Sequence, residues 1–243
     1  MIFAAGLGTR LRPLTDTMPK ALVPVAGEPL LAHVIRKLVR AGYSRLVVNV
    51  HHFPDQIRKY LSENDFGVPI AISDESGRLL ETGGAIRHAA PLLSGSDRFL
   101  VHNVDIISDL DLGWFEGAWH EGALAMLLVS DRKTSRYLLF DDDLRLVGWT
   151  NVSTGEVRSP YPGLDPSACR RLAFAGIHEM SSDILGVMKP FPERFPIIDF
   201  YLQVCDRYPV YAALPDRLRL VDVGKFDSLA EAERSASEIL QDE

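Results

Sequence analysis

Short apolar runs alternate with amphipathic stretches from the first residue to about position 130. Met1–Ala5 reads as a short strand. Leu30, Leu31, Val34, Ile35, Leu38 and Val39 recur at helical spacing until Gly42 stops the helix. Leu46–Val50 predicts a strand, Pro54–Leu61 a helix with proline in its first turn, Ile70–Ile72 a strand and Gly84–Leu93 a helix. Phe99–Val104, Leu112–His120 and Ala123–Ser130 continue the series as strand, helix and strand. Such alternation predicts βαβ units: an α/β, Rossmann-like, mainly parallel sheet covered by helices on both faces. The rhythm changes after Ser130. Arg136–Phe140 and Leu144–Trp149 flank Asp141-Asp142-Asp143 and predict a hairpin. Residues 150–171, rich in Thr, Asn, Ser and Gly with three prolines, predict a long excursion from a small inserted β-rich subdomain. Strands follow at Leu172–Ile177, Val210–Ala213 and Leu218–Val223, and helices near Ser182–Val187, at Ile197–Tyr208 and from about Ser228. The expectation is one domain, 1–243, with halves 1–130 and 131–243.

Charge narrows the function classes. A net charge of −7 argues against general affinity for nucleic acid or anionic membranes. Its distribution is uneven: residues 1–45 hold seven Lys/Arg against two Asp/Glu, and the remainder nineteen against thirty-one. A basic start on an acidic chain fits a bound anion of modest size, although Arg36, Lys37, Arg40 and Arg45 read as one solvated helix face. Cys169 and Cys205 lack CxxC spacing and read as buried reduced thiols. No apolar run approaches the ~18 residues of a membrane span. The start lacks the basic region of a signal peptide, so the expected compartment is the cytoplasm.

Candidate chemistry begins directly after the first strand, at Gly6-Leu7-Gly8-Thr9-Arg10-Leu11-Arg12-Pro13. Glycines 6 and 8 permit positive φ and close approach, so successive N–H groups can face phosphate oxygens, with Arg10 and Arg12 as charge-assisted donors. Leu11 stands where a dinucleotide fingerprint needs its third glycine, and no Gly-Lys-Ser/Thr follows, so neither that motif nor a Walker A loop is present. An ordinary strand-to-loop turn is the competing reading. Downstream, Pro19 and Pro24 bracket Lys20-Ala21-Leu22-Val23 and stiffen the loop that carries Lys20.

The stretch from Gly6 to Val25 resembles the signature of the sugar-nucleotide pyrophosphorylases, or sugar-1-phosphate nucleotidyltransferases: G-x-G-T-R-L-x-P-L-T, then Pro-Lys and Leu-x-Pro-Val. Glu81-Thr82-Gly83-Gly84-Ala85, the strand end at Asp105, Phe174-Ala175-Gly176-Ile177 and Val221-Asp222-Val223-Gly224 extend it along nearly all of the chain. The short bacterial N-acetylmuramate-1-phosphate uridylyltransferase and mannose-1-phosphate guanylyltransferase group is the nearest in character. The resemblance implies a GT-A-like nucleotide-diphospho-sugar transferase fold and a reaction of NTP with a sugar 1-phosphate, supported by Mg²⁺. It also implies roles for residues. Ala5, Gly6, Gly8, Thr9, Arg10, Glu81, Thr82, Gly83 and Asn103 would bind nucleotide, Arg10 and Lys20 would be catalytic, and Asp105 and Asp222 would hold the metal.

Asp105 and Asp222 each close an apolar strand, where ligands of open α/β sheets sit and where a strand-end or capping acid is also common. The family's Asn-Gly-Asp is here Asn103-Val104-Asp105. Asp109-Leu110-Asp111 has the DxD spacing of glycosyltransferases of related fold, but Asp111 reads better as the cap of the following helix. The seven histidines show no ligand spacing, and His51, His52 and His178 read as structural. On the sugar side Gly176 resembles the family's sugar-facing glycine. Its usual Glu-Lys-Pro element is absent, leaving Arg136, Arg170, Arg171 and Asn151 as candidates. A phosphocholine cytidylyltransferase, a DxD glycosyltransferase and a catalytically silent nucleotide-binding regulator remain rival readings.

Overall fold

The structure is a computed structural model and describes residues 1–225 and 229–240. Its strands are β1 (Ile2–Phe3), β2 (Pro24–Val25), β3 (Glu28–Pro29), β4 (Leu46–Val50), β5 (Ile70–Asp74), β6 (Arg98–Asn103) and β7 (Ile106–Ser108) in the first part of the chain. Then come β8 (Ala125–Ser130), β9 (Arg136–Phe140), β10 (Leu146–Asn151), β11 (Glu156–Arg158), β12 (Arg170–Ser181), β13 (Val210–Ala213) and β14 (Leu220–Asp222). The α-helices are α1 (Leu30–Arg40), α2 (Pro54–Glu63), α3 (Glu81–His88), α4 (Ala90–Leu93), α5 (Leu112–Gly117), α6 (Ile184–Val187), α7 (Ile197–Val204) and α8 (Leu229–Leu240).

β1 lies between β4 and β6, parallel to both, and β5 adds in parallel beyond β4. This is the βαβ core that the alternation predicts. β12 joins it to the second half: its C-terminal residues pair antiparallel with β6, its first residues with β9, and its other edge with β8. β13 then runs parallel to β8, and β9, β10 and β11 extend the sheet as an antiparallel meander. A register shift against β8 between Phe174 and His178, with Gly176 at φ 80°, marks a bulge where β12 passes from β9 to β6. Bulges of this kind bend a strand and redirect its side chains.

All five residues of β4 are buried, and its side chains alternate between the two covered faces. Leu46, Val48 and Val50 join a core with α1, α2, α5 and α8, whereas Val47 belongs to a core with α3, α6 and α7. In α1 the buried stripe is Leu30, Leu31, Val34, Ile35 and Leu38. Gly42, at φ 95°, ends it, and the N–H of Tyr43 returns to the Leu38 carbonyl. Lys37 and Arg40 sit in the last turn, where cations favour the helix dipole.

Several boundaries differ from expectation for local reasons. The helix expected over Gly84–Leu93 starts at Glu81 and breaks at Ala89, with Pro91 in the first turn of α4. The strand expected over Leu218–Val223 is the short β14, which pairs with β7 in a separate antiparallel ribbon. The excursion contains β11 and is tied back to the body, because Ser159 donates to the Val147 carbonyl and Tyr161 to the Cys205 carbonyl. Cys205 is buried, and the half-buried Cys169 is also a free thiol. The expected helix start at Ser228 lies outside the described residues. No helix among the described residues is long and apolar enough to cross a membrane.

Candidate active site

A cavity of about 540 Å³ opens at the C-terminal ends of β1 and β6. Residues 3–11, Lys20, Asn49, Glu75, Glu81, Thr82, Asn103, Val104 and Asp105 are among its walls. The glycine-rich loop and the first candidate carboxylate therefore face one space, as their placement after parallel strands requires.

Gly8 sits at φ 63°, and a Cβ there would come within 2.7 Å of Thr15 Cγ2. Thr15 in turn donates to the Gly8 carbonyl at 2.8 Å and fixes the loop from behind. Gly6 has no such neighbour. Among the described residues, the N–H groups of Gly6, Leu7 and Gly8 have no acceptor within the protein, so the loop presents donors to the cavity. Arg10 lies exposed at its edge, while Arg12 points away and pairs with Asp16 at 3.2 Å. Of the basic N-terminal residues, Arg36 pairs with Glu28 and Lys37 donates to the Ser108 carbonyl. Lys20 and Arg10 alone of this group line the cavity, so most of the early positive charge is structural.

Lys20 is almost wholly buried and forms an ion pair with Asp105. β14 brings the second carboxylate to the same place. Asp222 pairs in register with Ile106, and the N–H of Val223 donates to the Asp105 carbonyl at 2.9 Å. Gly224 shows how closely the groups converge. A methyl at that position would collide with the Lys20 ammonium and lie 3.3 Å from Asp105 Oδ2 and 3.4 Å from Asp222 Oδ1. Asp222 also accepts from the Gly224 N–H at 3.2 Å. Two aspartates far apart in sequence and a lysine from the N-terminal loop thus surround one point. No group of three or more His, Cys, Asp or Glu suited to a metal occurs among the described residues.

Two wall residues were missed in the sequence. Asn49 is buried in the otherwise apolar β4, accepts from the Ala4 N–H at 2.7 Å and donates to Glu75 at 2.7 Å. Glu75 also accepts from the Leu80 N–H, and burial raises its pKa above the ordinary glutamate value. This chain of bonds ties the end of β1 to the approach to α3. A polar residue inside an apolar strand was the available signal, since buried amides need partners.

The turn at the start of α3 behaves differently from its expected role. Glu81 and Thr82 line the cavity. Glu81 holds φ 62° and pairs with Arg194 at 2.7 Å. Gly83 is buried away from the cavity walls, and both it and Gly84 donate their N–H groups to the Phe195 carbonyl. A Cβ on Gly83 would run into the Phe195 ring. These glycines serve helix packing, and their donors are already engaged.

Among the sugar-side candidates, Gly176 lies against the Asn103 amide, 2.8 Å from where its Cβ would stand. Asn103 makes no hydrogen bond to Asp105 among the described residues. Asn151 lines neither this cavity nor its neighbour; its side chain accepts from the Ser153 N–H and closes the β10–β11 turn. Arg136, opposite Asn151 in register, lines a second cavity, which also contains Arg132, Trp149 and Arg158. Arg170 and Arg171 are absent from both linings. Asp111 caps α5 through the N–H groups of Gly113 and Trp114, and Asp109 pairs with Arg219 at 2.8 Å. Both acids of the DxD motif are therefore structural. The expected structural histidines also have partners: His51 meets the Glu75 carbonyl, His52 the Thr15 carbonyl and His178 the Tyr201 hydroxyl.

The nucleotidyl transferase family model matches residues 1–137. An N-acetylmuramate alpha-1-phosphate uridylyltransferase of Caulobacter vibrioides is 37% identical over 195 residues, covering 76% of this chain and 75% of that protein. A mannose-1-phosphate guanyltransferase of Gibberella zeae is 36% identical over 138 residues, 54% of this chain and 38% of that protein. UDP-glucose pyrophosphorylase from Acinetobacter baumanii superposes with a TM-score of 0.73 at 18% identity, covering 98% of this chain and 91% of that one, a likeness of fold. The chain belongs to the nucleotidyl transferase family, and its relatives represent the enzymes of that family that act on sugar 1-phosphates.

Proposed function

We propose that the chain converts NTP and a sugar 1-phosphate to NDP-sugar and pyrophosphate. UTP or GTP would be the donor, and the acceptor a sugar 1-phosphate of the N-acetylmuramate or mannose type. The observation that carries this reading is the convergence of Lys20, Asp105 and Asp222 on Gly224, beside a loop of unengaged backbone donors. The half 1–130 holds the nucleotide and 131–243 contributes the acceptor side.

Donor phosphates lie along the N–H groups of residues 6–8, with Arg10 balancing charge on the departing pyrophosphate. Ala5, Thr9, Glu81, Thr82 and Asn103 border the space left for base and ribose. An oxygen of the acceptor's phosphate attacks the α-phosphorus, and the bond to pyrophosphate breaks. That oxygen is already anionic, so no side chain needs to remove a proton. The chain's contribution is positioning and charge neutralisation. Lys20 serves both, because it orders Asp105 and directs a cation at the phosphates.

The carboxylates fit Mg²⁺, which takes one or two protein carboxylates and fills its remaining positions with water and phosphate oxygens. Asp105 and Asp222 would hold it, and it would supply charge neutralisation at the α-phosphate. An enzyme of this kind belongs in the cytoplasm, where NTP is available, and serves nucleotide-sugar supply for cell-envelope carbohydrate.

The test is pyrophosphate release across four NTPs, several sugar 1-phosphates and phosphocholine. The expected result is release with UTP or GTP and a sugar 1-phosphate. Release only with CTP and phosphocholine would make the chain a cytidylyltransferase. Release of NDP from a nucleotide sugar would make it a glycosyltransferase, and nucleotide binding without turnover a regulator.

A further inference from the structure

The ammonium of Lys20 stands where a divalent ion would need to sit. It donates to Asp105 Oδ2, and neither side chain has another side-chain partner among the described residues. That same oxygen and Asp222 Oδ1 lie 3.3 and 3.4 Å from the point where a Gly224 methyl would collide with the ammonium. Two carboxylates and one ammonium therefore share one small space, and the Lys20–Asp105 pair is largely closed to water. The stem of Lys20 begins elsewhere, at the glycine-rich loop: its Cβ lies 3.1 Å from where a Gly8 Cβ would stand. From that anchor a flexible four-carbon stem carries its point charge either to Asp105 or to anions on the N–H groups of residues 6–8.

The two positions of the ammonium differ in what they leave for a second cation. Mg²⁺ needs its carboxylate oxygens at about 2.0–2.1 Å in near-octahedral geometry. An ammonium on the same oxygen repels such an ion strongly, because little water screens the pair. A triphosphate on the loop relieves the conflict by offering the ammonium other anionic oxygens. We infer that Lys20 is an internal counter-ion of Asp105 that exchanges for the divalent ion, so that the metal enters with the nucleotide and binds weakly without it. The inference rests on the proposed metal position at Asp105 and Asp222 and adds the order in which that position is filled. Coupling of this kind is reciprocal: whatever draws Lys20 away from Asp105 raises the affinity for the metal.

The test is Mn²⁺ binding without nucleotide, read from loss of the free-ion paramagnetic resonance signal, in the wild type, Lys20→Met, Lys20→Gln and Lys20→Arg. The two neutral variants are expected to bind Mn²⁺ ~10–100-fold more tightly than the wild type, within the usual range of coupling between two sites. Lys20→Arg keeps the charge and is expected to show no gain. Adding Asp105→Asn to Lys20→Gln should remove the gain. Lys20→Gln retains a neutral donor for Asp105, so it carries the comparison if circular dichroism shows that the methionine variant does not fold. No gain in the neutral variants, an equal gain in Lys20→Arg, or a gain that survives Asp105→Asn would overturn the exchange. Pyrophosphate release by the wild type is measured separately. Release without a gain in Lys20→Gln keeps the reaction and refutes the exchange, whereas a gain without release from any substrate pair refutes the reaction and keeps the exchange.

Discussion

Gly224 has no side chain at the point where Lys20, Asp105 and Asp222 meet, and that absence is what lets the three coexist. Gly224→Ala is expected to displace the Lys20 ammonium and cut kcat by ~10²-fold or more, comparable to loss of a preorganised donor, while the thermal midpoint changes little. Lys20→Ala and Arg10→Ala are each expected to lose ~10²–10³ in kcat at saturating substrate. Near-wild-type turnover in either variant would remove its assigned role. Asp105 and Asp222 could be read as candidates because each follows an apolar strand, a position where α/β sheets place ligands. Their proximity followed only from the family resemblance, since it depends on the β7–β14 ribbon rather than on local pattern. Gly83 shows the opposite limit. A motif glycine reads alike whether a ligand or a phenylalanine ring approaches it, and here the ring does.

At the scale of elements, the contact between α3 and the segment entering α7 is set by glycines that admit Phe195 and its carbonyl. Gly83→Ala overpacks that contact and is expected to cost ~1–3 kcal/mol, seen as a lower midpoint in denaturant titration. β12 carries a second device. Glu179 is buried beside Arg98, and burial raises its pKa from 4.5 to about 7 despite the arginine. The folded state therefore binds this proton more tightly than the unfolded chain. The stability it contributes is complete below pH 4.5 and is lost as pH rises through about 7. Glu179→Gln should match the wild type near pH 4 and exceed it at pH 8 by up to roughly 3 kcal/mol. Thermal melts across that range give the check, and an equal pH slope in both proteins would contradict it. The alternation of strands and helices was readable because short apolar runs, buried on both faces, mark the strands and a period-3.6 stripe marks each helix. The double pairing of β12 was not, since an apolar strand does not encode which edges it will meet.

Across the whole molecule, a parallel core supplies the glycine-rich loop and Asp105, and β14, late in the chain, returns Asp222 to it. Charge alone points to the proposed anion site only roughly, because most of the early cations bind neighbouring carbonyls and carboxylates instead. Removal of divalent ions by a chelator is expected to abolish turnover and leave the fold intact by circular dichroism, with Mg²⁺ restoring activity. The most direct test of the account is a crystal structure with a non-hydrolysable UTP or GTP analogue and Mn²⁺. The account predicts an anomalous peak between Asp105 and Asp222, with the triphosphate along residues 6–10 beside Lys20. A metal or triphosphate bound elsewhere, with those two carboxylates untouched, would contradict it.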